Sequence, residues 1–139
     1  MSRTKYTKRL FIVFVAVALN GCALYDALML TGFDSNEYYL VTQIRTDAQV
    51  YKTQCENPAL APVNAQAIAL KTKLFQNYSE QIPSNENGIK ASTSLNEIAQ
   101  GLDDAYKKGT PSPVFCKLKY GSIENAAYVI QHVVGNRPR

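Results

Sequence analysis

The chain has no tryptophan, one histidine, two methionines and three cysteines in 139 residues. A single histidine, His132, excludes the HExxH metal motif and any histidine-rich ligand cluster. No CxxC pair, GxSxG elbow, phosphate-cradling glycine loop or EF-hand pattern occurs either. His132 falls two residues past an apolar stripe position near the end of the last predicted helix. That places it toward solvent, where it meets the C-terminal dipole. Asp103 and Asp104 are adjacent, so on a helix they point about 100° apart and make a poor acid–base pair; they read as a solvated face. The expectation is a protein that is not an enzyme and that holds no metal. Clean alternation of apolar and polar residues is also missing, as are internal repeats and low-complexity runs. This leaves an all-α domain.

Long apolar runs are missing as well. Leu10–Leu19 gives ten residues where a membrane span needs about 20. Extending the run to Leu30 would bury Asn20 and Asp26, and an Asp at the bilayer centre costs about 3 kcal/mol or more. The run instead follows a basic segment containing Arg3, Lys5, Lys8 and Arg9 and ends in Leu19-Asn20-Gly21-Cys22. A basic n-region, a short apolar core and a small residue before the cut describe a secretory signal peptide.

The cysteine that ends this segment makes it resemble the signal of bacterial membrane lipoproteins, whose lipobox closes on a small residue and a cysteine. Asn20 stands where that family more often has Ser, Ala or Thr. The resemblance implies that residues 1–21 are removed. It also implies that Cys22 carries a diacylglycerol on its thiol and an acyl chain on its new amine, with no other cofactor. Ala23 in place of an Asp implies the periplasmic face of the outer membrane. The remaining organisation is an apolar tether, residues 22–33, and a helical periplasmic domain, residues 34–139.

Processing changes the charge. The formal +4 of the whole chain includes the four basic residues of the signal. Without them, 11 basic residues face 11 acidic ones, all of which lie beyond Cys22. Nucleic-acid binding, which needs a net basic surface, is therefore not expected. Cys22, once acylated, leaves Cys55 and Cys116. In an oxidising compartment these are expected to form a disulfide, which would close a loop worth roughly 4 kcal/mol. The alternative is two buried thiols acting as small apolar side chains.

Four helices follow from periodicity. The first begins with Asp34 and Glu37 at capping-box spacing. Its stripe is Val41, Ile44, Ala48, Tyr51 and Cys55, and Asn57-Pro58 ends it. The second starts at Pro62 or Asn64, with Ala67, Leu70, Leu74 and Tyr78 as its stripe, broadened by Ile68 and Phe75. Ile82-Pro83-Ser84 breaks the chain. The third starts near Ser84–Asn87, presents Leu95, Ile98, Leu102 and Tyr106, and stops at Gly109. Ser112-Pro113 caps the fourth, whose stripe is Cys116, Tyr120, Ile123, Ala127, Ile130 and Val134. Gly121 weakens it by about 1 kcal/mol, and a break there with Ser122 as a second cap stays open. Short connections favour a small antiparallel four-helix bundle. In that topology Cys55 and Cys116 lie at one end, so bundle and disulfide support each other.

The segment Ala23–Phe33 reads equally as a short surface helix, with Tyr25 and Phe33 near lipid headgroups, or as a strand of chain packed on the domain. The basic tail Asn136–Arg139 reads as disordered. Most of the nine tyrosines are expected to pack a ring in the core with the hydroxyl at its edge. Tyr38 and Tyr39 are adjacent and cannot both face one core, so they form the candidate partner surface. Small lipoproteins of this general form serve as non-enzymatic interaction modules of the cell envelope. A weak further resemblance is to the outer-membrane spanin-type lysis subunits of phages. The alternatives are an exclusion or envelope-assembly lipoprotein, or a carrier of a small ligand in the bundle core. The partners implied are the membrane, through the anchor, and an envelope protein.

Overall fold

The computed structural model describes residues 31–139. The signal, Cys22, Ala23, Tyr25 and most of the tether lie outside the described residues. The described chain is four helices: α1 (Ser35–Lys52), α2 (Ala61–Ser79), α3 (Glu86–Lys108) and α4 (Pro113–Gly135). None is long and apolar enough to cross a membrane.

The helix ends follow local chemistry. Asp34 caps α1 by accepting a hydrogen bond from Glu37 N at 2.7 Å. Ser112 caps α4 through Phe115 N, with Pro113 in the first turn. α4 runs unbroken through Gly121 and Ser122. α1 stops at Lys52, three residues before Cys55, which sits in the following turn.

The helices form an antiparallel ring in which each contacts its neighbours, with the closest pairings α1 on α4 and α2 on α3. Side-chain pairs fix the registers. Gln49 and Lys52 meet Glu124 across the α1/α4 seam. Thr72 meets Asn96 across α2/α3. Lys71 pairs with Asp47, and Asn64 donates to Gln54, joining α2 to α1 and the turn after it. The core holds Val41, Ile44 and Ala48 of α1, Leu95, Ala99 and Leu102 of α3, and Tyr120, Ile123 and Ala127 of α4.

α2 corrects the expected stripe. Its buried face is Ala61, Ala65, Ile68, Thr72, Phe75 and Ser79, whereas Leu70 and Leu74 are 66% and 56% exposed. This helix carries two apolar rows, and the leucines lie on the outer one. The reason lies in the α2/α3 contact. Small residues at Ala65, Ala69 and Thr72 allow close approach to Ser92, Asn96 and Ala99. The buried amide of Asn96 is then satisfied by Thr72 and by Gln76, at 3.1 and 2.9 Å. Turning the leucines inward would break that pairing.

Candidate functional site

One end of the bundle is fixed covalently. Cys55 and Cys116 form a disulfide with Cα atoms 5.8 Å apart and a sequence separation of 61. It ties the turn after α1 to the first turn of α4. Lys117 reaches Glu56 beside it at 2.6 Å. That lysine holds the Glu56 carboxyl below the usual carboxylate range, through its hydrogen bond first and its charge second.

The opposite end is fixed by polar groups. Glu37 does not lie on the surface of the first turn of α1 but is fully buried. Its carboxylate pairs with Arg137, beyond the end of α4. Asn85, in the connection between α2 and α3, donates to Glu37 Oε1 and to the carbonyl of Ser79, both at 3.2 Å. Arg137 donates a further hydrogen bond to Asn85 Oδ1 at 3.0 Å. Four segments of chain therefore meet on one buried carboxylate. A buried charge is tolerable only when paired and hydrogen-bonded in this way. Gly88 is part of the arrangement, because a Cβ there would lie 2.2 Å from Asn85 Oδ1.

The C-terminal tail, expected to be disordered, is held by this network. Pro138 O accepts from Phe33 N at 2.8 Å, and the Arg139 guanidinium lies 5.0 Å over the Phe33 ring. Phe33 also packs on Tyr38, with centroids 6.0 Å apart. Thr31 donates to the carbonyl of Ser84 at 2.5 Å. Residues 31–33 thus pack on the domain, and the rest of the segment lies outside the described residues.

Between these ends, the α1/α4 seam opens into a surface cleft of about 350 Å³. Tyr38, Arg45, Tyr128, Gln131 and His132 line it, and Gly135 and Asn136 close one end. Arg45 Nη1 donates to Gln131 Oε1 at 2.9 Å, and its guanidinium lies 4.7 Å over the Tyr128 ring. Arg45 Nε is buried with no hydrogen-bond partner. Gln131 in turn donates to Thr42 Oγ1 at 2.8 Å and to the Tyr38 hydroxyl at 3.4 Å. His132 is exposed, as expected, and stacks on Tyr128.

The expected partner pair splits. Tyr38 is half-buried in the seam, while Tyr39 is 60% exposed and its hydroxyl accepts from Gln43 Nε2. Asp104 is exposed, but Asp103 is buried and holds Lys107 at 2.6 Å. That interaction keeps the Lys107 ammonium charged above its ordinary range. The solvated-face reading therefore applies to one aspartate of the two.

A surface not anticipated as such lies on α2 and just before it. Leu60, Val63, Ala67, Leu70 and Leu74 repeat at intervals of three, four, three and four residues. At about 100° per residue this row lies roughly 140° round the helix from the core row. Apart from half-buried Ala67, all of it is exposed. Ala67, Leu70 and Leu74 belong to the stripe expected to face the core, and Leu60 and Val63 extend that row toward the start of the helix.

Among the described residues no group of three or more His, Cys, Asp or Glu side chains could hold a metal ion. No family model, curated protein or solved structure matches the chain.

Proposed function

We propose that the chain is a lipid-anchored protein of the periplasmic face of the outer membrane. In this reading its helical domain docks an α-helical segment of an envelope partner along the outer row of α2. The anchor rests on the resemblance of Leu19-Asn20-Gly21-Cys22 to a lipobox. The docking reading is carried by one observation: an exposed apolar row at the three–four spacing with which helices pack side by side. Contiguous exposed apolar surface of this kind marks interaction sites.

The charge beside the row points to the character of the partner. α2 contains Lys71 and Lys73 and no acidic residue. Lys71 is already paired with Asp47, whereas Lys73 is exposed and reaches only the neutral Gln76. A partner helix with carboxylates flanking its own apolar seam is complementary to this edge. A second copy of the chain would bring lysine to lysine.

The test is in-cell photo-crosslinking from position 70 of the full-length lipoprotein, followed by mass spectrometry. The expected product joins this chain to a helical segment of another envelope protein, and the same spectra carry an acylated Cys22. An inner-membrane partner with a periplasmic coiled coil would favour the spanin-type variant of this reading. A partner confined to the outer membrane would favour an exclusion or assembly subunit. Products containing only lipid or only copies of this chain would overturn the docking reading. An acyl-free Cys22 on an unprocessed chain would overturn the anchor.

A further inference from the structure

We infer that the α1/α4 cleft around Arg45 is a binding site for the phosphate group of a phosphate ester. The inference does not depend on the α2 docking reading, since it concerns a different face.

The first argument is charge. The cleft is lined by one permanent cation and one histidine, and no carboxylate lines it. The basic side chains nearby are accounted for differently. Lys52 lies by Glu124, and Arg137 is neutralised by Glu37. Arg45 makes no ion pair with any described carboxylate. A guanidinium is always charged, and burying part of one without a counter-charge is unfavourable. An anion in the cleft supplies what the fold omits.

The second argument is geometry. Gln131 and the Tyr128 ring contact the guanidinium from two sides, so it already sits at the cleft before any ligand arrives. The bond to Gln131 uses Nη1, which leaves the Nε edge of the fork. Nε is buried without an acceptor, and an unsatisfied buried N–H is costly. A small turn of the guanidinium toward the cleft would present that edge to an oxyanion, whose two oxygens it matches bidentately. The Tyr38 hydroxyl accepts from Gln131, so its own proton remains to be donated. The exposed His132 ring supplies a further donor from α4. Donors of three kinds, two from α1 and one from α4, suit the tetrahedral oxygens of a phosphate better than a planar carboxylate. The cleft volume admits a group of headgroup size.

Two sources share this chemistry: the headgroup of an anionic phospholipid and a free phosphorylated small molecule. The experiment uses the full-length processed lipoprotein in a maltoside detergent, with the Arg45 Nε–H followed by NMR. Inorganic phosphate and glycerol phosphate are titrated in one arm. In the other, the protein is placed in nanodiscs of phosphatidylcholine with or without phosphatidylglycerol. A saturable shift of Arg45 Nε–H with glycerol phosphate, weakened at least about tenfold in Arg45→Gln, is the expected result. A response to both soluble phosphates and phosphatidylglycerol assigns the site to a headgroup. A response to soluble phosphate alone assigns it to a free ester. No saturable Arg45 shift in the wild-type protein in either arm overturns the inference, as does equal binding by a folded Arg45→Gln variant. The wild-type measurement stands whether or not the variant folds.

Discussion

Glu37 and Arg137 stand 100 residues apart in the chain and pair as a buried ion pair at one end of the bundle. Removing one partner leaves an uncompensated charge. Arg137→Ala is therefore expected to cost about 3–5 kcal/mol. Deleting residues 136–139 should cost at least as much, because the Phe33 N to Pro138 O hydrogen bond is lost as well. The pair itself is a different matter, since well-packed apolar replacements for both partners often restore stability. The double variant Glu37→Met with Arg137→Leu should recover most of the loss. Urea denaturation of the wild type, both single variants and the double variant would test this. Additive losses would contradict a coupled pair.

Gly88 is expected to resist substitution even though alanine is the better helix former. Gly88→Ala gains about 1 kcal/mol of intrinsic helix propensity. It also drives a methyl group into Asn85, and the Asn85 side chain cannot yield without releasing Glu37 and Arg137. Overpacking of this kind costs about 1–3 kcal/mol, so net destabilisation is expected, read as a lowered midpoint. A stabilised Gly88→Ala protein would show that Asn85 is free to move.

Much of this end of the molecule was legible in the sequence. The α1 stripe of Val41, Ile44 and Ala48, extended back by four residues, lands on Glu37. The α4 stripe ending at Ile130 and Val134, extended forward by three, lands on Arg137. Both charges are in phase with the core. Spacing alone also suggested a capping box, and half of one is present: Asp34 caps, while the Glu37 side chain turns inward instead. The stripes of α1, α3 and α4 were readable because each helix carries one dominant apolar face. α2 was not, because it carries two rows, and side-chain size favoured the wrong one. What buries the smaller row is the shape of α3, a long-range property. Arg45 carried no local signal, since its meaning depends on Tyr128 and Gln131, 83 and 86 residues away.

The disulfide should contribute through the unfolded chain. Replacing Cys55 and Cys116 together by alanine is expected to cost about 4 kcal/mol by the chain-entropy account. Helical content in native buffer should be retained, because the core apart from the two sulfurs is untouched. Denaturation midpoints with and without reductant check this. Insensitivity of the wild-type protein to reductant would mean that the bond is not stabilising.

Tyr120 gives a prediction at alkaline pH. Its hydroxyl is buried with no hydrogen-bond partner. Burial first, then the neighbouring Tyr106 and Tyr51, pushes its ionisation well above the ordinary value of 10.0. The fold therefore holds the neutral phenol while the unfolded chain loses its proton near the ordinary value. Stability is fully present below that pH and falls as pH rises above it. Tyr120→Phe removes the orphaned hydroxyl. It should gain about 1 kcal/mol at neutral pH and flatten the alkaline decline. Some decline should remain, because burial also raises Tyr106. An unchanged alkaline limb in urea titrations would assign the effect elsewhere.

The outer row of α2 should separate folding from binding. Leu60→Glu and Leu74→Glu alter exposed positions, so each should change stability by no more than about 0.5 kcal/mol. Both should abolish the partner cross-link expected from this face. Substantial destabilisation would show that these leucines are packed after all.

The bond between Cys55 and Cys116 also decides how the molecule carries mechanical load. It closes a covalent ring that contains all of α2 and α3. A pull applied between the segment before α1 and the tail after α4 runs through α1, across the sulfurs and out through α4. The ring bears none of it. A nick in the connection between α2 and α3 would likewise leave one covalent molecule, falling into two pieces only on reduction. The helix with the exposed row therefore lies, together with α3, outside the path of any pull applied through the two ends of the domain.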